Sequence, residues 1–129
     1  MDGIQAVDIR IDIDNDLEVV TDHERIKVIL SNLLANAVHY RDHGKKSYVL
    51  IRAAVIKVFW TIDVEDNGIG IKQEHHARIF DMFYKAHDSS KGTGLGLYIV
   101  NESLQRLKGS IDVVSEYGKG SIFKIRVPV

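Results

Sequence analysis

The sequence predicts an α/β (α+β) two-layer sandwich, a mixed sheet of about five to six strands covered on one face by about three helices. Stretches rich in β-branched and aromatic residues, with alternating apolar and polar positions, occur near the start, in the middle and at the end of the chain. Between them lie segments whose apolar residues recur with helical spacing. Strands and helices follow one another without regular βαβ alternation, so the sheet is not expected to be a doubly wound parallel one.

The elements are read in order. VDIRIDI, residues 7 to 13, alternates apolar and charged residues as a half-buried strand does. Asn15 and Asp16 make a turn, and Leu17 to Val20 read as a short strand. Thr21 or Asp22 is a good N-cap, and a helix follows to about Tyr40. RDHGKK, residues 41 to 46, is a polar loop. SYVLIRAAVIKVFWTIDVE is too long for one strand, so it reads as a hairpin with strands near 48–54 and 58–65. Trp60 belongs to its core or sheet face. The turn falls around Val55 to Lys57, where no Gly, Asn or Pro helps it. DNGIGI is a turn cluster, Gln73 to Phe83 is expected to be helical, and Lys85 to Gly92 is a polar loop. A helix from Leu95 to Leu107 stops at Gly109, suited to the C′ position. Residues 110–115 and 121–127 form a closing hairpin.

Composition narrows the function. The 129 residues suit one domain, residues 1–129. Lys and Arg total 17 against 18 Asp and Glu, which is no nucleic-acid footprint. There is no cysteine, hence no disulfide and no thiolate metal site. No apolar run approaches the about 18 residues of a membrane span. The opening residues carry no signal-peptide pattern, and a cytoplasmic placement is expected.

Three constellations carry chemistry. On the first long helix, Ile26, Leu30, Leu33 and Ala37 share one face, while Asn32, Asn36, His39 and Tyr40 share another. Asn is a poor helix former, so this polar stripe is either a solvated face or a ligand face. Mg²⁺ keeps several waters and takes few protein ligands, so one Asn oxygen together with substrate phosphates would suffice. The second constellation is VEDNGIGI, with Asp66, Gly68 and Gly70 at a strand end: either an ordinary turn or a carboxylate beside glycines that admit a flat ligand. The third is KGTGLGLYIV, where Gly92, Gly94 and Gly96 open a helix. Bare glycines at a helix N-terminus suit phosphate. GxxxxGK[ST] is missing, and GxGxG is not the dinucleotide GxGxxG.

Together, in this order, the three resemble the ATP-binding catalytic domain of bacterial sensor histidine kinases, part of the superfamily that includes gyrase, MutL and a heat-shock chaperone. NLLANAVHY is similar to the family's asparagine box, DVEDNGIGI to its first glycine box, IFDMFYK to its phenylalanine box and KGTGLGLYIV to its second glycine box. The closing GSIDVVSEYGKGSIFKIRVP is similar as well. The resemblance implies a Bergerat-type ATP-binding fold with ATP and Mg²⁺ as cofactors. It implies Asn36 as the Mg²⁺ ligand and Asn32 on the same site face. His39 falls where the family touches phosphate, and Tyr40 where it packs on the base. Asp66 matches the acceptor for the adenine amino group, with Gly68, Gly70 and Ile71 shaping that pocket. Phe80 and Phe83 match the phenylalanine box, with Lys85 a phosphate contact, and Gly92, Thr93, Gly94, Leu95 and Gly96 border the lid over the triphosphate.

Departures from the pattern refine this. The lid, Tyr84 to Lys91, is short. Asn32 stands where the hydrolytic relatives carry a glutamate base, and an amide cannot take a proton from water, which favours phosphoryl transfer over hydrolysis. The dimerisation and phosphoacceptor domain is not among these residues. "HERIK" at His23 imitates an acceptor motif but lacks the downstream Pro and sits just after a helix cap. His75 and His76 read as solvated surface. The expected function is therefore donation of the γ-phosphoryl group of Mg-ATP to a histidine on a separate helical domain, through which the parent kinase would form a homodimer. A response regulator would act downstream, and the isolated domain would be monomeric. The rivals are an anti-sigma-type serine kinase of the same superfamily and a non-enzymatic nucleotide-binding regulator.

Overall fold

A computed structural model describes residues 7–14, 16–86 and 94–129. Five strands form one sheet: β1 (Val7–Ile13), β2 (Ser47–Ile56), β3 (Phe59–Asp66), β4 (Ser110–Glu116) and β5 (Gly120–Pro128). Their spatial order is β1-β2-β3-β5-β4, with β1 parallel to β2 and every other pair antiparallel. Two α-helices, α1 (His23–His39) and α2 (Gly96–Arg106), cover one face.

Register shows which residues meet the helices. Val49, Ile62, Val64, Phe123 and Ile125 are buried on the covered face, with Ile62 opposite Ile125 and Val64 opposite Phe123. Ile29 and Leu33 of α1 and Val100 and Leu104 of α2 close the core from above. Trp60 alternates onto the same face and packs against this cluster. The opposite face is polar: Tyr48 donates to Glu65 at 2.7 Å, and Arg52 pairs with the same carboxylate at 2.8 Å.

Helix ends follow local chemistry. Asp22 is the N-cap of α1 and accepts from the Arg25 N–H at 3.1 Å. At the end of α2, Lys108, not Gly109, takes the left-handed C′ conformation, at φ 59. Its N–H donates to the Gln105 carbonyl and that of Gly109 to the Leu104 carbonyl, the paired closure of a Schellman motif. Gly109 is small for another reason: a Cβ there would lie 2.6 Å from the Arg126 carbonyl oxygen.

Four expectations change. Leu17 to Val20 is not a strand; the Asp14 side chain caps the Asp16 N–H, the Asp14 carbonyl accepts from Leu17, and Val20 is fully exposed. β1 is less buried than its alternation implies, because it forms an edge of the sheet; only Val7 is buried, and Ile11 is 67% exposed. The β2–β3 turn falls at Lys57 and Val58, with Lys57 at φ 58 supplying the left-handed residue that no glycine provides. The stretch from Gln73 to Phe83 is not an α-helix. It forms a short 3-10 turn, Gln73–His75, followed by further i→i−3 bonds from Arg78 to His75, Asp81 to Arg78 and Tyr84 to Asp81. These are separate turns and not one straight helix, so the segment folds back and both His75 and Arg78 reach Tyr84. Among the described residues there are thus two α-helices where about three were expected.

Candidate functional site

The alternation of β3 places Asp66 at its end on the helix-covered face, opposite Val49 of β2 and Ser121 of β5. There the sheet, the end of α1 and the start of α2 bound a cleft with about 460 Å³ of empty space, part of it open to solvent. Asn36 and Tyr40 line it from α1, Leu97 from α2, and Asp66 and Ser121 from the sheet. Tyr84 and Ala86 complete the wall.

Asp66 is the dominant charge of the cleft. Burial raises its pKa from the ordinary 3.8 to about 6, against hydrogen bonds from the backbone N–H groups of Gly68 and Ser121 that pull it down. The Gly68 N–H lies 2.9 Å from Oδ1. A carboxylate held on a largely apolar wall favours a ligand that offers it a hydrogen-bond donor.

The two glycines after Asp66 are required by the protein's own backbone. A Cβ on Gly68 would lie 2.5 Å from the Tyr40 carbonyl oxygen, which accepts from the Ile69 N–H. One on Gly70, whose φ is 74, would lie 2.2 Å from the Glu116 carbonyl oxygen. They dock the loop between the end of α1 and the β4–β5 hairpin; Gly70 also lines the cleft, with Ile71 beside it. The Ser115 hydroxyl holds the Ile71 N–H at 2.8 Å and the Ser121 hydroxyl at 2.7 Å.

The remaining sequence-derived residues divide. Asn32 does not line the cleft; its amide nitrogen donates to the Val28 carbonyl at 2.9 Å, and its Oδ1 faces Gly96 at the first turn of α2. His39, at the last turn of α1, and Lys85 are exposed. Phe83 also lies off the cleft wall, 65% exposed at φ 65, and the next residue, Tyr84, takes the wall position instead. The Phe83 N–H donates to the Gly94 carbonyl, and a Cβ on Gly94 would lie 2.8 Å from the Phe83 backbone, so these two residues meet through their main chains. Leu95 precedes α2. Gly92 and Thr93 lie outside the described residues.

Ile79, Tyr84, Leu97 and Ser121 were not singled out in the sequence. Tyr84 and Leu97 lie inside the quoted boxes, but only the turn geometry and helix phase aim them inward. Ser121 had a signal in the alternation of GSIFKIRV, which puts it on the core face. His75 and His76 are not solvated surface. Both are half-buried: His76 Nε2 holds the Ile71 carbonyl at 2.9 Å, and His75 Nδ1 bonds the Tyr84 hydroxyl.

Among the described residues no three His, Cys, Asp or Glu side chains cluster to hold a metal. A hard cation here would rely on a single amide oxygen, that of Asn36, together with ligand oxygens, which suits Mg²⁺.

Residues 21–129 match the family described as histidine kinase-, DNA gyrase B- and HSP90-like ATPases. The chain is 37% identical over 116 residues to the aerobic respiration control sensor protein ArcB of Escherichia coli (strain K12), a match covering 85% of this chain and 14% of that protein. The chain therefore spans a small part of its curated relative. Full-length ShkA in complex with AMPPNP superposes with a TM-score of 0.83 at 28% identity, covering 98% of this chain and 27% of that one. The nucleotide-free catalytic domain of the histidine kinase ThkA superposes at 0.80 and 28% identity, covering 97% and 80%.

Proposed function

The chain belongs to the histidine kinase-, DNA gyrase B- and HSP90-like ATPase family, and on that premise we propose that it binds Mg-ATP in the Asp66 cleft and, as the catalytic domain of a sensor histidine kinase, donates the γ-phosphoryl group to a histidine on a separate helical domain. The observation that carries this is the half-buried Asp66 carboxylate at a strand end, facing a cleft that Asn36 and Tyr40 also line. Asp66 accepts from the adenine amino group, with Tyr40, Gly70 and Ile71 against the base. Asn36, one turn before Tyr40 on α1, would hold the metal that accompanies the phosphates. Gly92, Thr93, Gly94, Leu95 and Gly96 lead into the N-terminus of α2, whose first turn carries no side-chain cap and whose N–H groups suit anionic oxygens.

Mg²⁺, when bound, would neutralise charge on the phosphates. The chain's own part is positioning. Of the other residues the resemblance assigns to phosphate, Asn32 faces the first turn of α2, while His39 and Lys85 are exposed outside the cleft lining. Asn32 cannot deprotonate water, so transfer to a protein histidine is favoured over hydrolysis. The acceptor domain, homodimerisation through it, a downstream response regulator and a cytoplasmic placement belong to the same reading. Its test is calorimetric titration of the chain with ATP, with Mg²⁺ and with excess chelator. Binding should tighten with Mg²⁺, and Asn36→Ala should remove that gain while leaving the fold intact. Equal affinity with and without metal in the wild-type chain overturns the role of Asn36.

A further inference from the structure

We propose that His75 is a positioning residue for this cleft: it holds the Tyr84 hydroxyl and so fixes the phenol ring as a wall against which the nucleotide binds. The inference rests on the reading of the cleft as the ATP site.

Tyr84 lines the cleft and is held at two points. Its hydroxyl bonds His75 Nδ1, the two rings tilted at 54° with centroids 5.8 Å apart. The Arg78 guanidinium covers one face of its ring, 4.6 Å from the centroid, and is itself bonded to Asp81 at 3.2 Å. Separate i→i−3 turns, not one straight helix, fold the segment back on itself so that these groups meet. The wall is also reached through an unfavourable backbone: Phe83, just before it, sits at φ 65, a conformation that a side chain disfavours. Without the hydroxyl bond, the ring keeps only the Arg78 contact, and its place on the wall is less firmly fixed. The neighbouring histidine acts in parallel, since His76 Nε2 holds the carbonyl of Ile71, another residue of the wall.

The experiment titrates the full chain with Mg-ATP, comparing wild type, His75→Ala, Tyr84→Phe, the double variant and His75→Asn. Asn places an amide near the position of Nδ1 and so keeps a hydrogen bond to the hydroxyl. His75→Ala and Tyr84→Phe should each weaken ATP binding by about three- to tenfold, the scale of one hydrogen bond. The double variant should be no weaker than the worse single one, and His75→Asn should bind within about twofold of wild type. Wild-type affinity in both single variants, or effects that multiply in the double, overturns the inference while the ATP reading stands. A wild-type chain that binds no ATP overturns both.

Discussion

At neutral pH the Asp66 carboxyl is mostly ionised, and its burial gives stability a definite pH dependence. The folded pKa, about 6, lies above the ordinary 3.8. The fold therefore favours the protonated form: the stabilisation is complete below about 3.8 and is lost as pH rises through about 6. At about 1.4 kcal/mol per pKa unit, the whole change is about 3 kcal/mol. Relative to Asp66→Asn, which does not titrate, the wild-type chain should lose up to that amount between about pH 4 and pH 7; urea unfolding of both across this range measures it. The same carboxylate should choose the base. Adenine offers a donor where guanine offers a carbonyl, and an unpaired buried polar group costs about 1–3 kcal/mol, so ATP should be preferred over GTP by roughly five- to more than a hundredfold. Asp66→Asn should narrow that ratio, because an amide presents either a donor or an acceptor. Lowering the pH through about 6 should narrow it as well, since a protonated carboxyl offers a donor that suits guanine. Competition binding of the two nucleotides decides the matter; a ratio unchanged in the variant removes Asp66 from base reading.

The loop after β3 and the β4–β5 hairpin are held together by close backbone approach. Gly70 and Gly118 both adopt positive φ, at 74 and 89, but their surroundings differ. A Cβ on Gly118 would meet nothing within 4 Å, while one on Gly70 would lie 2.2 Å from the Glu116 carbonyl oxygen. Gly118→Ala should therefore cost about 1–2 kcal/mol, the left-handed penalty alone. Gly70→Ala should cost at least about 3 kcal/mol, because the loop must also move off the hairpin, and it should impair nucleotide binding with it. Equilibrium denaturation of the two variants checks this, and equal losses would show that backbone conformation, not docking, sets the role of Gly70. The 3-10 segment shows the same dominance of tertiary partners. Its sequence has helical composition, but its i→i−3 turns let the histidine rings reach Tyr84 and Ile71.

On the scale of the molecule, the helices cover one face of the sheet, and α1 ends and α2 begins beside the carboxyl end of β3, so the cleft sits where the three meet. On the proposed reading, a domain built this way would present its nucleotide to a partner. Incubated with γ-labelled ATP, the chain by itself should bind nucleotide and remain unlabelled. Label should appear on an acceptor histidine when the helical domain of a sensor kinase that recognises it is supplied. Label on this chain that disappears in His23→Ala would make His23 the acceptor and overturn the reading of its helix-cap position.

Within this architecture, the sheet, both helices and the main groups of the cleft were legible in the sequence. The β-rich run ending at Asp66 marked a strand-end carboxylate, and helical spacing placed Asn36 and Tyr40 on one side of α1, because both patterns are properties of the local backbone. The ordered boxes revealed the family for the same reason: each is a run of neighbours whose chemistry is local. Tertiary structure alone decided what depends on distant neighbours. It showed that Gly68 and Gly70 are small because the Tyr40 and Glu116 carbonyls press against them. It put Lys57 and Lys108 in left-handed turns where a glycine was sought, and turned Tyr84 rather than Phe83 into the wall. It also gave His75 and His76 their partners. A period along the chain says which face a residue takes, but packing across the chain decides what that face meets.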